Sequence, residues 1–184
     1  VYDIFCNKEG FLWLATDEGI TRYDGFRFRN YPLITSLDSA SIPLPQVVKS
    51  IKESPTDLFF LQLYQGGIIC FDRDKETYLP LHFDKPFNIR SIQDFCWNGE
   101  TLFLATTQGL FSSIPQRSKE DKKDVISCTV KSEPLVKGKI TNLCTDNKNN
   151  LYLVIDENKV VRYDLVTAKT SVLQQGSAIS RLFL

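Results

Sequence analysis

The sequence predicts an all-β fold, on three observations. Its 184 residues include 13 Phe and 7 Tyr, a bias toward side chains that favour strands. Short apolar runs are separated by Gly, Asn and Asp turns at hairpin spacing. No segment sustains a helical period between caps.

The first elements follow in order. Residues 1–6 read as a strand, and the polar turn Asn7-Lys8-Glu9-Gly10 leads to a second strand at 11–16. Asp17-Glu18-Gly19 turns the chain into a third strand at 20–23, and Asp24-Gly25 turns it into a fourth at 26–31. This unit then recurs. GFLWLATDEGITRYDG at 10–25 is followed by DLFFLQLYQGGIICFDR at 57–73, ETLFLATTQGLFSS at 100–113 and NLYLVIDENKVVRYDL at 150–165. Aligning the aromatic of the second strand superimposes Trp13, Phe60, Phe103 and Tyr152, at intervals of 47, 43 and 49 residues. An apolar segment precedes each copy: Ile4-Phe5, Val48 with Ile51, Ile92 with Phe95, and Ile140 with Leu143.

Four antiparallel strands in a repeat of roughly 40–50 residues are the signature of a β-propeller blade. The expected blades are 1–43, 44–87, 88–139 and 140–178, with 179–184 as the opening strand of a fifth. A larger propeller, of about seven blades, accommodates that extra strand best. The alternative is a compact ring of four whose tail completes an end blade. The chain starts at Val1 and contains no Met, which is expected of a piece taken from a longer protein.

Composition narrows the function. Twenty-two basic and 22 acidic residues give a net charge of zero, against a nucleic-acid partner, which needs surplus cations to displace condensed counterions. The stretch 117–123 mixes both signs and reads as a solvated loop. Residues 58–71, the most apolar stretch, are interrupted by Gln62, Gln65, Gly66 and Gly67 and are too short to span a bilayer, so no membrane contact is expected of this segment. Five cysteines (Cys6, Cys70, Cys96, Cys128, Cys144) form no Cys-x-x-Cys pair, and the single His82 lacks ligand-spaced neighbours. No metal site or cofactor is expected, and the cysteines read as small buried apolar residues.

The residues of the first copy carry a resemblance. An apolar pair, a turn ending in Gly, Leu-Trp-Leu-Ala-Thr, two turn residues, Gly-Ile and Arg-Tyr-Asp-Gly resemble the two-component regulator propeller repeat. The match is closest at 7–25, good at 99–111 and degraded in the second and fourth copies. The Gly-His and Trp-Asp signatures of WD40 blades are absent. The resemblance implies the periplasmic sensor region of a hybrid histidine kinase of Bacteroides type. It also implies an oligosaccharide ligand and signalling through rearrangement of a self-associated parent. None of the kinase parts lies in this chain, so the segment itself is expected to be non-catalytic.

Recurrent residues point to architecture. Interchangeable aromatics at Trp13, Phe60, Phe103 and Tyr152 mean packing. Arg22-Tyr23-Asp24 recurs as Arg162-Tyr163-Asp164 and Cys70-Phe71-Asp72, and the Asp is expected to accept backbone N–H groups in the turn. Candidate ligand contacts lie where the blades disagree, in the turns between second and third strands: Asp17, Glu18, Tyr64, Gln65, Gln108, Asp156 and Glu157. Trp97 has no aromatic counterpart and is the candidate interface residue. The two long connections, 32–45 and 115–139, are further places for recognition, the second with strand-like alternation at 125–130. Two other classes remain open: a propeller enzyme such as a lyase, and a pure interaction scaffold.

Overall fold

The computed structural model describes residues 1–35, 44–84, 88–120 and 123–176. The strand expected at 179–184 and the middle of the 32–45 connection lie outside them. The described residues are all-β, built mainly as four antiparallel meanders of four strands in sequence order. They fall into two compact units, Val1–Pro80 and Leu81–Leu184.

In the first unit, β1 (Asp3–Cys6), β2 (Leu12–Thr16), β3 (Gly19–Tyr23) and β4 (Phe28–Pro32) form the first sheet. After the short pair β5 (Ile34–Thr35) and β6 (Leu44–Pro45) comes the second sheet. Its strands are β7 (Val48–Glu53), β8 (Leu58–Leu63), β9 (Ile68–Asp72) and β10 (Thr77–Leu79).

The second unit opens with β11 (Leu81–Phe83) and one 3-10 turn at Ile89–Ser91. The third sheet is β12 (Ile92–Asn98), β13 (Thr101–Thr106), β14 (Gly109–Ser113) and, after an inserted hairpin, β17 (Val136–Lys137). The hairpin is β15 (Gln116–Glu120) and β16 (Lys123–Cys128), with β11 added parallel to β16. The fourth sheet is β18 (Ile140–Thr145), β19 (Asn150–Ile155), β20 (Lys159–Asp164) and β21 (Lys169–Gln175).

The hairpin differs from the loop expected at 117–123. Charged side chains do not prevent strand pairing when opposite signs face each other across the ladder. Arg117 reaches Asp124 at 2.8 Å, and Ser118 Oγ lies 2.6 Å from Ser127 Oγ.

The repeat seen in the sequence reappears in the packing, position by position. In the first unit Phe5, Trp13, Ala15 and Ile20 lie against Ile51, Phe59, Leu61 and Phe71. In the second unit the equivalents Cys96, Phe103, Ala105 and Leu110 lie against Leu143, Leu151, Leu153 and Tyr163. Trp13 is the largest of these. Its ring meets Phe59 edge-on at 4.9 Å and stacks on Tyr31 at 5.6 Å. Burying one such side chain stabilises the fold by roughly 1.5–3 kcal/mol relative to exposure.

The turns repeat as well, and each has a hydrogen-bonding reason. Between first and second strands, Asn7 Oδ1, Ser54 Oγ and Asp146 Oδ1 each accept the backbone N–H four residues on, at 2.9, 3.1 and 3.1 Å. Between second and third strands, Thr16 and Thr106 donate to the carbonyls of Gly19 and Gly109. Those glycines have φ of +123° and +150°, and a Cβ there would come within 2.4 Å of a carbonyl of the neighbouring strand. That contact is why the motif ends in Gly. Between third and fourth strands, Asp24, Asp72 and Asp164 each accept two backbone N–H groups, those of Phe26 and Arg27, Asp74 and Lys75, and Val166 and Thr167. The sequence expectation for the recurrent Asp matches this geometry.

The cysteines are all free thiols. Cys70, Cys96 and Cys128 are buried, and burial pushes the Cys128 thiol up to about 11. Cys144 is half-buried, and Cys6 is instead exposed, because it lies at the end of β1 on the face that no described strand covers.

Candidate functional site

The turns that disagree between copies sit where the long connections pass. In the first unit a relay of backbone bonds ties them together. Glu18 C=O accepts from Leu33 N–H, Leu33 C=O from Gln46 N–H, and Val47 C=O from Tyr64 N–H, each at 2.9 Å. Asp17, Glu18, Tyr64 and Gln65 therefore share one end of their two sheets. All four are exposed. Tyr64 is 66% exposed and its ring centre lies 6.2 Å from that of Tyr2, so two tyrosine rings stand together there.

In the second unit the turn at Thr107-Gln108 is tied to Ser91 C=O at 3.2 Å, and Asp156 N–H donates to Lys139 C=O at 2.8 Å. Lys139 engages both carboxylates of its turn. Its N–H donates to Asp156 Oδ1 at 3.2 Å and its Nζ to Glu157 Oε1 at 2.6 Å. That bond holds the Glu157 carboxyl below the usual range. Asp156 and Glu157 are thus partly committed to fixing the turn, with φ of 52° and 61°. Gln108 is exposed.

These groups suit neutral polar ligands. Carboxylates and amides hydrogen-bond hydroxyls, and exposed tyrosine rings offer apolar faces. Among the described residues, no three of His, Cys, Asp and Glu cluster to hold a metal ion. His82 Nδ1 lies 2.7 Å from Glu120 on the hairpin. No helix among the described residues is long and apolar enough to cross a membrane.

The opposite end of the first unit uses its charges structurally. Arg73, with a side chain only 8% exposed, reaches Glu53 at 3.1 Å and Asp57 at 3.4 Å while lying over the Phe59 ring at 5.0 Å. Nearby, Glu76 joins Arg22, Arg29 and the Tyr31 hydroxyl. Burial, and then the bond to Glu76, push the Tyr31 hydroxyl up.

Of the aligned aromatics, Trp13, Phe60 and Phe103 are buried and Tyr152 is half-buried. Trp13 and Phe103 fill equivalent layers, and Phe60 lies on the corresponding face of β8, opposite Phe59. Trp97 is half-buried on β12 opposite Leu102, with its indole nitrogen shielded from solvent. Its neighbour Asn98 is tied to Lys148 C=O and to the Thr145 hydroxyl.

Sequence reasoning missed Tyr2, Lys139 and a pair of aspartates, Asp3 and Asp94. These two hold equivalent positions, pairing with Ala15 and Ala105, a coincidence visible once the copies are aligned.

Comparison with known proteins agrees with this architecture. The extracellular domain of a hybrid two-component system of B. thetaiotaomicron superimposes on 99% of the chain with a TM-score of 0.62 at 16% identity. The chain spans 22% of that protein's length. A chain of the mitotic checkpoint complex superimposes on 88% of this chain, and on 46% of its own length, with a TM-score of 0.54 at 13% identity. The likeness is one of fold. No family model matches the sequence, and no curated protein matches it.

Proposed function

We propose that this chain is a non-catalytic sensor segment from the extracytoplasmic, periplasmic part of a two-component regulator. Its four meanders are propeller blades, with the boundaries 1–43, 44–87, 88–139 and 140–178. The observation that carries this reading is the likeness of 99% of the chain to the extracellular domain of a hybrid two-component system. The resemblance of 7–25 to the regulator propeller repeat supports it from sequence alone.

The packing supports a ring of more than four blades. Ile4 and Leu12, 63% and 37% exposed, stand at the positions of Ile51 and Phe59, which the preceding sheet covers in the second meander. An uncovered copy of a covered face is a place for another blade of the same kind.

The ligand is an oligosaccharide, with candidate contacts at Asp17, Glu18, Tyr64 and Gln65 in the first unit and at Gln108, Asp156 and Glu157 in the second. Binding favours one arrangement of the self-associated parent by differential affinity, with Trp97 at a contact between copies. Calorimetric titration of the parent ectodomain with defined oligosaccharides, alongside product analysis, tests this. Saturable binding without turnover is expected, and turnover would overturn it. A second reading, an interaction scaffold, draws on the likeness to a chain of the mitotic checkpoint complex. It predicts protein capture with no sugar binding.

A further inference from the structure

The third sheet differs from the other three at its outer edge. In the first, second and fourth sheets the last strand runs to the far end of its neighbour, pairing Phe28 with Tyr23, Thr77 with Asp72 and Lys169 with Asp164. In the third sheet β17 has two residues and pairs only with Gly109 and Leu110. Among the described residues, no strand lies along the outer edge of 111–113. The chain that would supply one is diverted into the β15–β16 hairpin. Buried Val125, Ile126 and Cys128 anchor that hairpin, as does Asp84, which accepts Val130 N–H at 3.1 Å.

A cavity of about 510 Å³ lies between this edge and the hairpin. The size falls within the range of small-molecule sites. Its lining includes the hydroxyl-bearing residues Thr101, Ser112, Ser113, Ser127 and Thr129 and the amide-bearing Gln116. Ile114 and Val130 are apolar walls, and the Ser127 hydroxyl also meets that of Ser118. Among the described lining residues Lys131 is the charged one, and the Asp84 carboxylate, outside the lining, is engaged by the Val130 N–H. Ser113 is 4% exposed; its Oγ has no nitrogen or oxygen partner among the described residues, only the weak Cys128 thiol beside it. Buried polar groups of that kind are satisfied by a ligand or by water.

Hydroxyls and an amide both donate and accept, whereas an ammonium only donates. The complementary molecule carries several hydroxyls and one negative charge. We propose that the cavity is a binding site for a small polyhydroxylated carboxylate, lying along the bare edge of β14 with its carboxylate at Lys131. This site shares no residue with the turns at Asp17, Glu18 and Tyr64, and it does not depend on the sensor reading.

The test is calorimetry on the whole chain with D-gluconate, D-sorbitol and acetate, with amide shifts mapping the site. Sorbitol lacks the charge and acetate lacks the hydroxyls. Gluconate is expected to bind roughly tenfold more tightly than either, since a charge-assisted bond is added to the neutral ones. Shifts are expected at Ser112, Ser113, Ser127 and Thr129. Lys131→Met alters an exposed side chain and should lower gluconate affinity to the sorbitol level. Thr129→Val, also exposed, should weaken both polyols. Absence of gluconate binding, equal affinity for sorbitol or acetate, or shifts confined to the turns at Glu18, Tyr64 or Asp156 would overturn the proposal.

Discussion

The carboxylate of Asp94 accepts the backbone N–H of Leu143 at 2.9 Å, joining the first strands of two successive sheets. Asp3 does the same for Ile51 at 3.0 Å. Each aspartate uses its other oxygen on the next N–H of its own strand, at 2.8 Å for Phe95 and 3.0 Å for Ile4. The receiving strand is bulged just before the accepted group, between Ile140 and Asn142 or between Val48 and Ser50. The carboxylate thus meets an N–H that the irregular ladder leaves to it.

Asp94→Ala is expected to destabilise the chain by about 1–3 kcal/mol, because the Leu143 N–H is left buried without its acceptor. Asp94→Asn keeps an acceptor and should cost less. Urea unfolding checks both. A change under about 0.5 kcal/mol for the alanine variant would show that the tie contributes nothing.

Trp13→Ala and Phe103→Ala each empty the middle of an inter-sheet layer and should cost roughly 3–5 kcal/mol by the same measurement. Tyr152→Ala, at the equivalent but half-buried position, should cost distinctly less. Equal losses at all three positions would contradict the packing described.

Gly109→Ala places a Cβ against the Val136 carbonyl and the Pro134 side chain, at 2.4 and 2.6 Å, on backbone with φ of +150°. A loss of about 1–3 kcal/mol is expected from strain alone. Gly10 has open space around it, so Gly10→Ala should be the milder change despite its φ of +86°.

Backbone N–H bonds from Arg27 and Thr167 hold the Asp24 and Asp164 carboxyls below the ordinary 3.8. A carboxyl depressed in the folded state contributes stability above its unfolded value, and that contribution is lost as pH falls through the folded value. The double variant Asp24→Asn, Asp164→Asn keeps an acceptor in each turn. It removes that contribution, so it should lower the melting temperature slightly at pH 7, leave low pH little changed, and so flatten the decline below about pH 4. Asp24 is exposed and Asp164 only half-buried, so screening keeps the effect small.

Ile4→Ser is expected to leave the isolated chain within about 0.5 kcal/mol of the original, since the side chain is 63% exposed. If another blade covers that face in the parent, the same change there should cost about 1–3 kcal/mol. Proteolysis of the two proteins under matched conditions reads the difference.

Local chemistry was legible wherever one residue type explains one turn. Gly19 and Gly109, the Asp of each third turn, and the layer aromatics Trp13 and Phe103 could be found by aligning copies. The Asp3 and Asp94 ties were hidden because their partners lie 48 and 49 residues away and the other two copies carry Ser50 and Asn142. The hairpin was hidden because 117–123 reads as solvated charge, while its pairing comes from Arg117 with Asp124 and from β11 alongside β16. The cavity follows from a strand cut to two residues, which no local pattern records.

Amide-shift mapping of the chain during titration with defined oligosaccharides, from disaccharides to octasaccharides, tests the sensor reading most directly. Saturable shifts are expected at Glu18, Leu33, Tyr64 and Gln65, with Gln108, Asp156 and Glu157 as the second group. Shifts confined to the opposite turns at 7–10 and 24–27, or no saturable shift with any sugar, would contradict it.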